Sequence, residues 1–222
     1  MADDLQALAA RAAALTVRDD EAAERAVLGI TGPPGAGKST LGERLAAAVA
    51  ALGVAVVRVP MDGFHLADAE LVRLGRRDRK GAIDTFDAAG YASVLARTRT
   101  ETAGTVYAPD FDRTVEQPIA GSIPVPPGTR LVLTEGNYLL DPDPAWRAVR
   151  ALLDEVWYCD LDDEVRRSRL VERHVRFGKA PDTARAWVAA VDEPNALLIA
   201  AGRDAVDLVV DVLTLALPPG RD

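Results

Sequence analysis

The sequence predicts an α/β fold built on a parallel sheet, and three observations carry the prediction. Short apolar runs recur along the chain, helical patterns fall between or beside them, and a glycine-rich loop joins the first run to the first helix. "AVLGI" (26–30) is β-capable and bounded by glycine, as a strand buried on both faces should be. A helical pattern follows from about Lys38 to Leu52. "VAVVRV" (54–59), "RLVLTEG" (130–136), "EVWYCD" (155–160) and "DLVVDV" (207–212) read as further strands, with helices near 87–100, 145–153, 162–177 and 181–201. Strands alternating with helices favour parallel pairing through crossovers. The stretch 104–128, "GTVYAPDFDRTVEQPIAGSIPVPPG", is rich in proline and turn formers and departs from this alternation. Two β-like pieces within it (105–108 and 119–125) predict a hairpin-like excursion from the sheet.

No repeat and no low-complexity linker divides the 222 residues, so one domain over 1–222 is expected. Its composition is that of an ordinary globular chain, 49% hydrophobic and 27% charged. A net charge of −8 argues against a broad surface for nucleic acid or anionic lipid, so any basic site must be local. One cysteine, Cys159, excludes an internal disulfide and a cysteine-rich metal site, which fits a cytoplasmic location. The opening stretch is acidic and lacks the apolar core of a signal peptide, and no window is long and apolar enough to span a membrane. Only Lys38, Lys80 and Lys179 of the 26 basic residues are lysines, so a lysine at position 38 stands out.

Residues 32–39, "GPPGAGKS", satisfy G-x-x-x-x-G-K-[ST] between a predicted strand and a predicted helix, the context that this phosphate-binding loop requires. Chance would supply such a match in about one shuffled chain per thousand of this composition. Polyphosphate needs many donors and no obstructing side chains. Gly32, Pro33, Pro34, Gly35, Ala36 and Gly37 form the loop, its glycines let the backbone turn N–H groups inward, and the following helix aims its positive end at the anion. Lys38 is expected at the β and γ phosphates, Ser39 at a magnesium ion and Thr40 at a further phosphate.

A phosphate loop names no function by itself. The N-K-x-D motif of GTPases and the L-S-G-G-type signature of transport ATPases are both missing from the chain, which favours small-molecule phosphotransfer. "PMDGFHLAD" (60–68) puts Asp62 at the carboxyl end of a strand, where it can take a proton from an attacking hydroxyl; His65 would shape the acceptor pocket. Glu135 leaves the third strand where an acid commonly serves magnesium. In "DLDDEVRRSRLVERHVRFGKAPD" (160–182), Arg166, Arg169, Arg173 and Arg176 recur on one helical face. That stripe suits a lid over about 162–182 that stabilises transferred charge, with Arg169 and Arg173 as phosphate contacts and His174 as a weaker candidate.

These motifs together resemble the phosphoribulokinase, uridine kinase and bacterial pantothenate kinase family of P-loop kinases. "GPPGAGKST", "MDGFH", "GAIDTFDAAGY" (81–91), "EGNYLL" and "RLVERHVRFGKAP" carry the likeness from about Val27 to Val212. "APDFDRTVEQPIAG" (108–121) resembles a branch of poorly characterised bacterial kinases labelled nucleoside, sugar or fructose-transport kinases. The resemblance implies a P-loop NTPase three-layer sandwich with a five-stranded parallel core sheet, an acceptor site over Asp62 and the excursion, and an arginine lid. It also implies Asp62 as the base, Glu135 as an acidic site position, and Tyr107, Asp112 and Arg113 in the acceptor region. ATP and Mg²⁺ are the implied cofactors. Dimers are frequent in the family, so a homodimer is among the assemblies it implies. The histidine-containing acceptor motif of uridine kinases does not follow Tyr107, and the longer pantothenate kinase elements are missing.

The expected activity is ATP- and Mg²⁺-dependent transfer of the γ-phosphate to an alcohol on a nucleoside, sugar or pantothenate-like metabolite. The competing class is a nucleotide-dependent switch or assembly ATPase acting on a protein partner. A metal-insertion GTPase would need a cysteine-rich motif that the chain lacks.

Overall fold

The computed structural model describes residues 2–17 and 24–215; Met1, 18–23 and 216–222, which belong to the expected 1–222 span, lie outside the described residues. In chain order the elements are α1 (Ala2–Ala14), β1 (Ala26–Thr31), α2 (Lys38–Ala51), β2 (Val56–Arg58), α3 (Asp68–Arg73), α4 (Ala88–Thr100), β3 (Val106–Asp112), β4 (Gln117–Val125), β5 (Leu131–Glu135), α5 (Pro144–Arg150), β6 (Glu155–Asp160), α6 (Asp163–Arg176), α7 (Pro181–Trp187), α8 (Glu193–Ala200) and β7 (Leu208–Asp211). Five strands form one sheet in the order β2-β5-β1-β6-β7, every neighbouring pair parallel. Among the described residues, no helix is long and apolar enough to cross a membrane.

The pleat explains why these strands read as continuous apolar runs: successive residues feed opposite cores. On one face Val27, Val132, Val156 and Tyr158 join Tyr91 of α4 and Trp146 of α5. On the other, Leu28, Leu133, Trp157 and Cys159 pack with Leu41 and Leu45 of α2. Helices on both faces make the three layers. An element beyond the sequence expectations is α1, whose Leu8, Ala9 and Ala12 are buried in the α2-side core. The expected helix at 181–201 is divided: a π turn at Val188–Asp192 separates α7 from α8. Pro194 accounts for the break, since it has no N–H for the helical ladder and its ring crowds the carbonyl four residues earlier.

Strands β3 and β4 form the antiparallel hairpin, longer than the two pieces expected for it. Pro109 sits at the register shift between Ala108 and Asp110, and the two-stranded sheet has an open edge on each side, so its prolines interrupt no central ladder. Val106, Ala108 and Val125 anchor the hairpin in the α4-side core. Its backbone also lies against the loop after β2: a Cβ on Gly63 would stand 2.4 Å from the Pro109 carbonyl oxygen. Only a residue without a side chain lets the hairpin reach that strand end.

Candidate active site

The site lies at the carboxyl ends of the central strands, where neighbouring crossovers leave opposite faces of the sheet. The glycine loop follows β1, Asp62 lies in a short 3-10 turn (Met61–Phe64) after β2, and Glu135 ends β5. Gly35 takes φ +80°, and a Cβ there would meet Leu170 Cγ at 2.7 Å, so α6 packs directly on the loop backbone. Gly37 caps α2 in the left-handed conformation with no side-chain hydrogen bond. The first N–H groups of α2 therefore have no capping side chain, and the positive end of the helix faces the cleft. Lys38 donates from Nζ to the carbonyls of Gly32 at 2.8 Å and Pro33 at 3.1 Å. Burial lowers its pKa, partly opposed by the charges of Glu135 and Asp62.

Two connected chambers occupy this end of the sheet. The larger, about 640 Å³, contains Asp62, His65, Glu135 and Arg113 in its wall; the smaller, about 500 Å³, is bounded by Thr40, Arg169, Glu172 and Arg176. Gly35, Lys38, Ser39 and Arg173 border both. The structure thus brings together residues from 32–40, 62–65, 113, 135 and 169–173, and it sets Asp62 and Lys38 on a common cavity.

Local contacts hold each group. Asp62 Oδ2 accepts from Arg113 Nη2 at 3.2 Å, and both side chains are partly exposed. The Asp62 main-chain oxygen pairs with His65 Nδ1 at 2.8 Å. The His65 ring lies 4.0 Å from Phe86 and 4.9 Å from Phe111, centroid to centroid, and burial lowers its pKa, favouring the neutral imidazole. Glu135 is bound by Arg58 at 3.1 Å, which also reaches Glu43. Burial raises the Glu135 pKa, opposed by the Ser39 hydroxyl beside it and by Lys38.

Three expectations are corrected. Tyr107 is exposed and lies outside both cavity walls, because alternation along β3 turns it away while Val106 and Ala108 point inward. Asp112 also lies outside the walls; its carboxylate accepts from Thr114 N at 2.7 Å and Val115 N at 3.3 Å, building the hairpin turn. The four-arginine stripe is divided. Arg166 is only 1% exposed, and its guanidinium donates to Asp163, to Glu193 at 2.5 Å and to the Pro34 carbonyl at 3.4 Å. The amino-terminal turns of α6 are packed between the loop and α8, so Arg166 is a strut while Arg169, Arg173 and Arg176 border the smaller chamber. His174 is held by Asp192 at 2.8 Å and lines the larger one.

Sequence reasoning missed Lys80, Phe111, Lys179, Trp187 and Asn195, all in the wall of the larger chamber. One signal pointed to two of them. All three lysines of this arginine-dominated chain, Lys38, Lys80 and Lys179, line that chamber.

Several known proteins resemble this chain in sequence and fold. The family described as Methylmalonyl Co-A mutase-associated GTPase MeaB matches residues 6–65, the segment from α1 through the phosphate loop to His65. The ATP-dependent kinase-like protein notR' of Aspergillus versicolor is 40% identical over 134 residues, 57% of this chain and 77% of that protein. A proposed uridine kinase of Schizosaccharomyces pombe, C227.14, is 37% identical over 161 residues, 70% of this chain and 68% of that one. Among solved structures, a proposed fructose transport system kinase from Silicibacter sp. TM1040 superposes with a TM-score of 0.84 at 36% identity, covering 92% of this chain and 98% of the other. With its phosphate loop, parallel sheet and kinase relatives of this extent, the chain belongs to the uridine kinase-like family of P-loop kinases, nucleotide-binding phosphotransferases.

Proposed function

We propose that this kinase transfers the γ-phosphate of ATP to an alcohol of a small polar metabolite, with Asp62 as the proton acceptor. The observation that carries the reading is the shared cavity: the Asp62 carboxylate and the Lys38 ammonium line one chamber at the end of the sheet. The donor set suits a magnesium-bound triphosphate. Backbone N–H groups at an uncapped helix start, the Lys38 ammonium and the arginines of α6 address phosphate, while the Ser39 hydroxyl and Glu135 carboxylate are the oxygen donors that magnesium takes. Magnesium bound there would offset charge on the transferring phosphoryl group.

The residues divide the remaining work. Asp62 orients the acceptor hydroxyl and takes its proton as the oxygen bonds to the γ-phosphorus; the bond to the β-phosphate oxygen breaks and ADP leaves. Lys38, Arg169 and Arg173 stabilise charge on the departing and transferring groups. The wall of the larger chamber on this side comes from α6 and the π turn, with Trp187 and Phe177. The test is transfer of labelled γ-phosphate to a panel of nucleosides, sugars and pantothenate, read as a phosphorylated product. A labelled product above the hydrolysis background supports the reading. Hydrolysis that only a protein partner stimulates, with no labelled metabolite, replaces it with the switch class.

A further inference from the structure

We propose that the acceptor alcohol carries an oxyanion group, a carboxylate or a phosphate, which Arg113 and Lys80 hold beside Asp62. The inference rests on the alcohol-kinase reading and narrows its substrate class. Both cations come from outside the phosphate loop and α6, so they are separate from the groups that address the nucleotide. Lys80 Nζ lies 5.2 Å from the centre of the Phe111 ring and Arg113 Cζ lies 5.8 Å from it, so one aromatic ring positions both charges at the wall of the larger chamber.

Lys80 belongs to a segment with surplus positive charge. Arg76 and Arg79 share Asp84 at 3.3 and 2.7 Å, while Arg77 and Lys80 share Asp68 at 3.1 and 2.6 Å. Even with Asp78 counted, four cations face three carboxylates, in a protein whose net charge is −8. Lys179 adds a further cation to the same chamber, where it stands 4.5 Å from the centre of Trp187. The acids of the same chamber are largely engaged: Asp192 with His174, Glu135 with Arg58 and Asp62 with Arg113 itself. Glu116 also lines the wall, and its main-chain oxygen accepts from Lys80 at 2.6 Å.

The Arg113–Asp62 pair supplies the mechanism of selection. It joins two partly exposed side chains, and pairs of that kind contribute little to stability. In that pair one carboxylate oxygen of Asp62 is already taken by the guanidinium. An acceptor oxyanion offers Arg113 a bidentate partner, draws the guanidinium from Asp62 and frees the base next to the hydroxyl. A neutral alcohol leaves the base occupied. Because Arg113 touches Asp62, the oxyanion must lie within a few bonds of the reacting hydroxyl, as in a short hydroxy acid or a small sugar phosphate.

The test uses matched acceptors with the full chain, ATP and magnesium: glycerol, glycerate and glycerol 3-phosphate in one series, ribose and ribose 5-phosphate in another. In at least one series the anionic member should exceed its neutral partner in kcat/KM by about 10- to 100-fold, the range for losing one charge-assisted hydrogen bond. The carboxylate and phosphate arms identify which oxyanion is read. Arg113→Gln and, separately, Lys80→Met should shrink that preference several-fold while the ATP dissociation constant stays put. Neutral members transferred as well as anionic ones, or a preference that neither variant changes, overturn the oxyanion proposal and leave the kinase reading intact. No transfer to any anionic member, with ATP still bound, also overturns the oxyanion proposal, while the kinase reading is decided by the wider panel of nucleosides, sugars and pantothenate.

Discussion

The two ends of the cleft are built by different means. The phosphate end is a single contiguous segment, residues 32–40, whose working parts are backbone N–H groups, one ammonium and one helix terminus. The acceptor end is assembled from the turn after β2, the segment around Lys80, the tip of a hairpin, the end of β5 and the helices from α6 to α8. Its groups are side chains, held by pairs such as Asp62–Arg113 and His174–Asp192. The contrast teaches why these enzymes share a phosphate donor more readily than an acceptor: backbone geometry is common to the fold, while side chains from scattered loops change one at a time.

If that division is right, damage at one end should leave the other largely intact. At the phosphate end the greatest loss is expected for Lys38→Ala, which removes the ammonium: turnover should fall by about 10³-fold with the fold preserved, as read by steady-state ADP release and circular dichroism. Next come the arginines of α6 beside the smaller chamber. Arg173→Ala borders both chambers and should lower kcat by about 100-fold, more than Arg169→Ala, with acceptor KM changed less than kcat. Equal loss from Arg166→Ala with an unaltered melting temperature would blur the distinction between strut and phosphate contacts, because burial of Arg166 predicts a stability defect instead.

A smaller change should be confined to the acceptor end. Gly63→Ala forces the hairpin off the Pro109 carbonyl, and a displaced wall should raise acceptor KM by about 10-fold, while calorimetry finds the ATP affinity unchanged. The mildest effect is on pH dependence. Burial raises the Glu135 pKa in the metal-free chain, so protons compete with magnesium for this carboxylate and magnesium affinity should weaken as pH falls; Glu135→Gln should lose that dependence along with magnesium affinity. The same shift has the opposite sign for stability without nucleotide. A carboxyl whose folded pKa is raised contributes fully below its unfolded value and loses that contribution as pH rises through the folded value.

The division also explains what could be read in advance. Strands β1, β5, β6 and β7 were legible because burial on both faces leaves uninterrupted apolar runs, and the phosphate loop because backbone chemistry demands glycine at set spacings. Asp62 and Glu135 followed from lying at strand ends. Helix α1 was not legible, since its alanine-rich face carries little contrast until α2 covers it. The π turn depends on how Pro194 is accommodated within a longer helix, and the fates of Tyr107 and Asp112 depend on the register shift and turn of the hairpin. Trp187 and Asn195 have no local motif at all; only the packing of α7 and α8 brings them to the cleft.

The central claim is that one cleft joins a phosphate cradle to a carboxylate that accepts a proton from an alcohol. Its most direct test is Asp62→Asn, with kcat for acceptor phosphorylation and the ATP dissociation constant measured on the same preparation. The account predicts a fall in kcat of about 10²- to 10⁴-fold with ATP binding within a factor of about two of the unaltered chain. Transfer at the original rate, or loss of ATP binding as large as the loss of turnover, would contradict it.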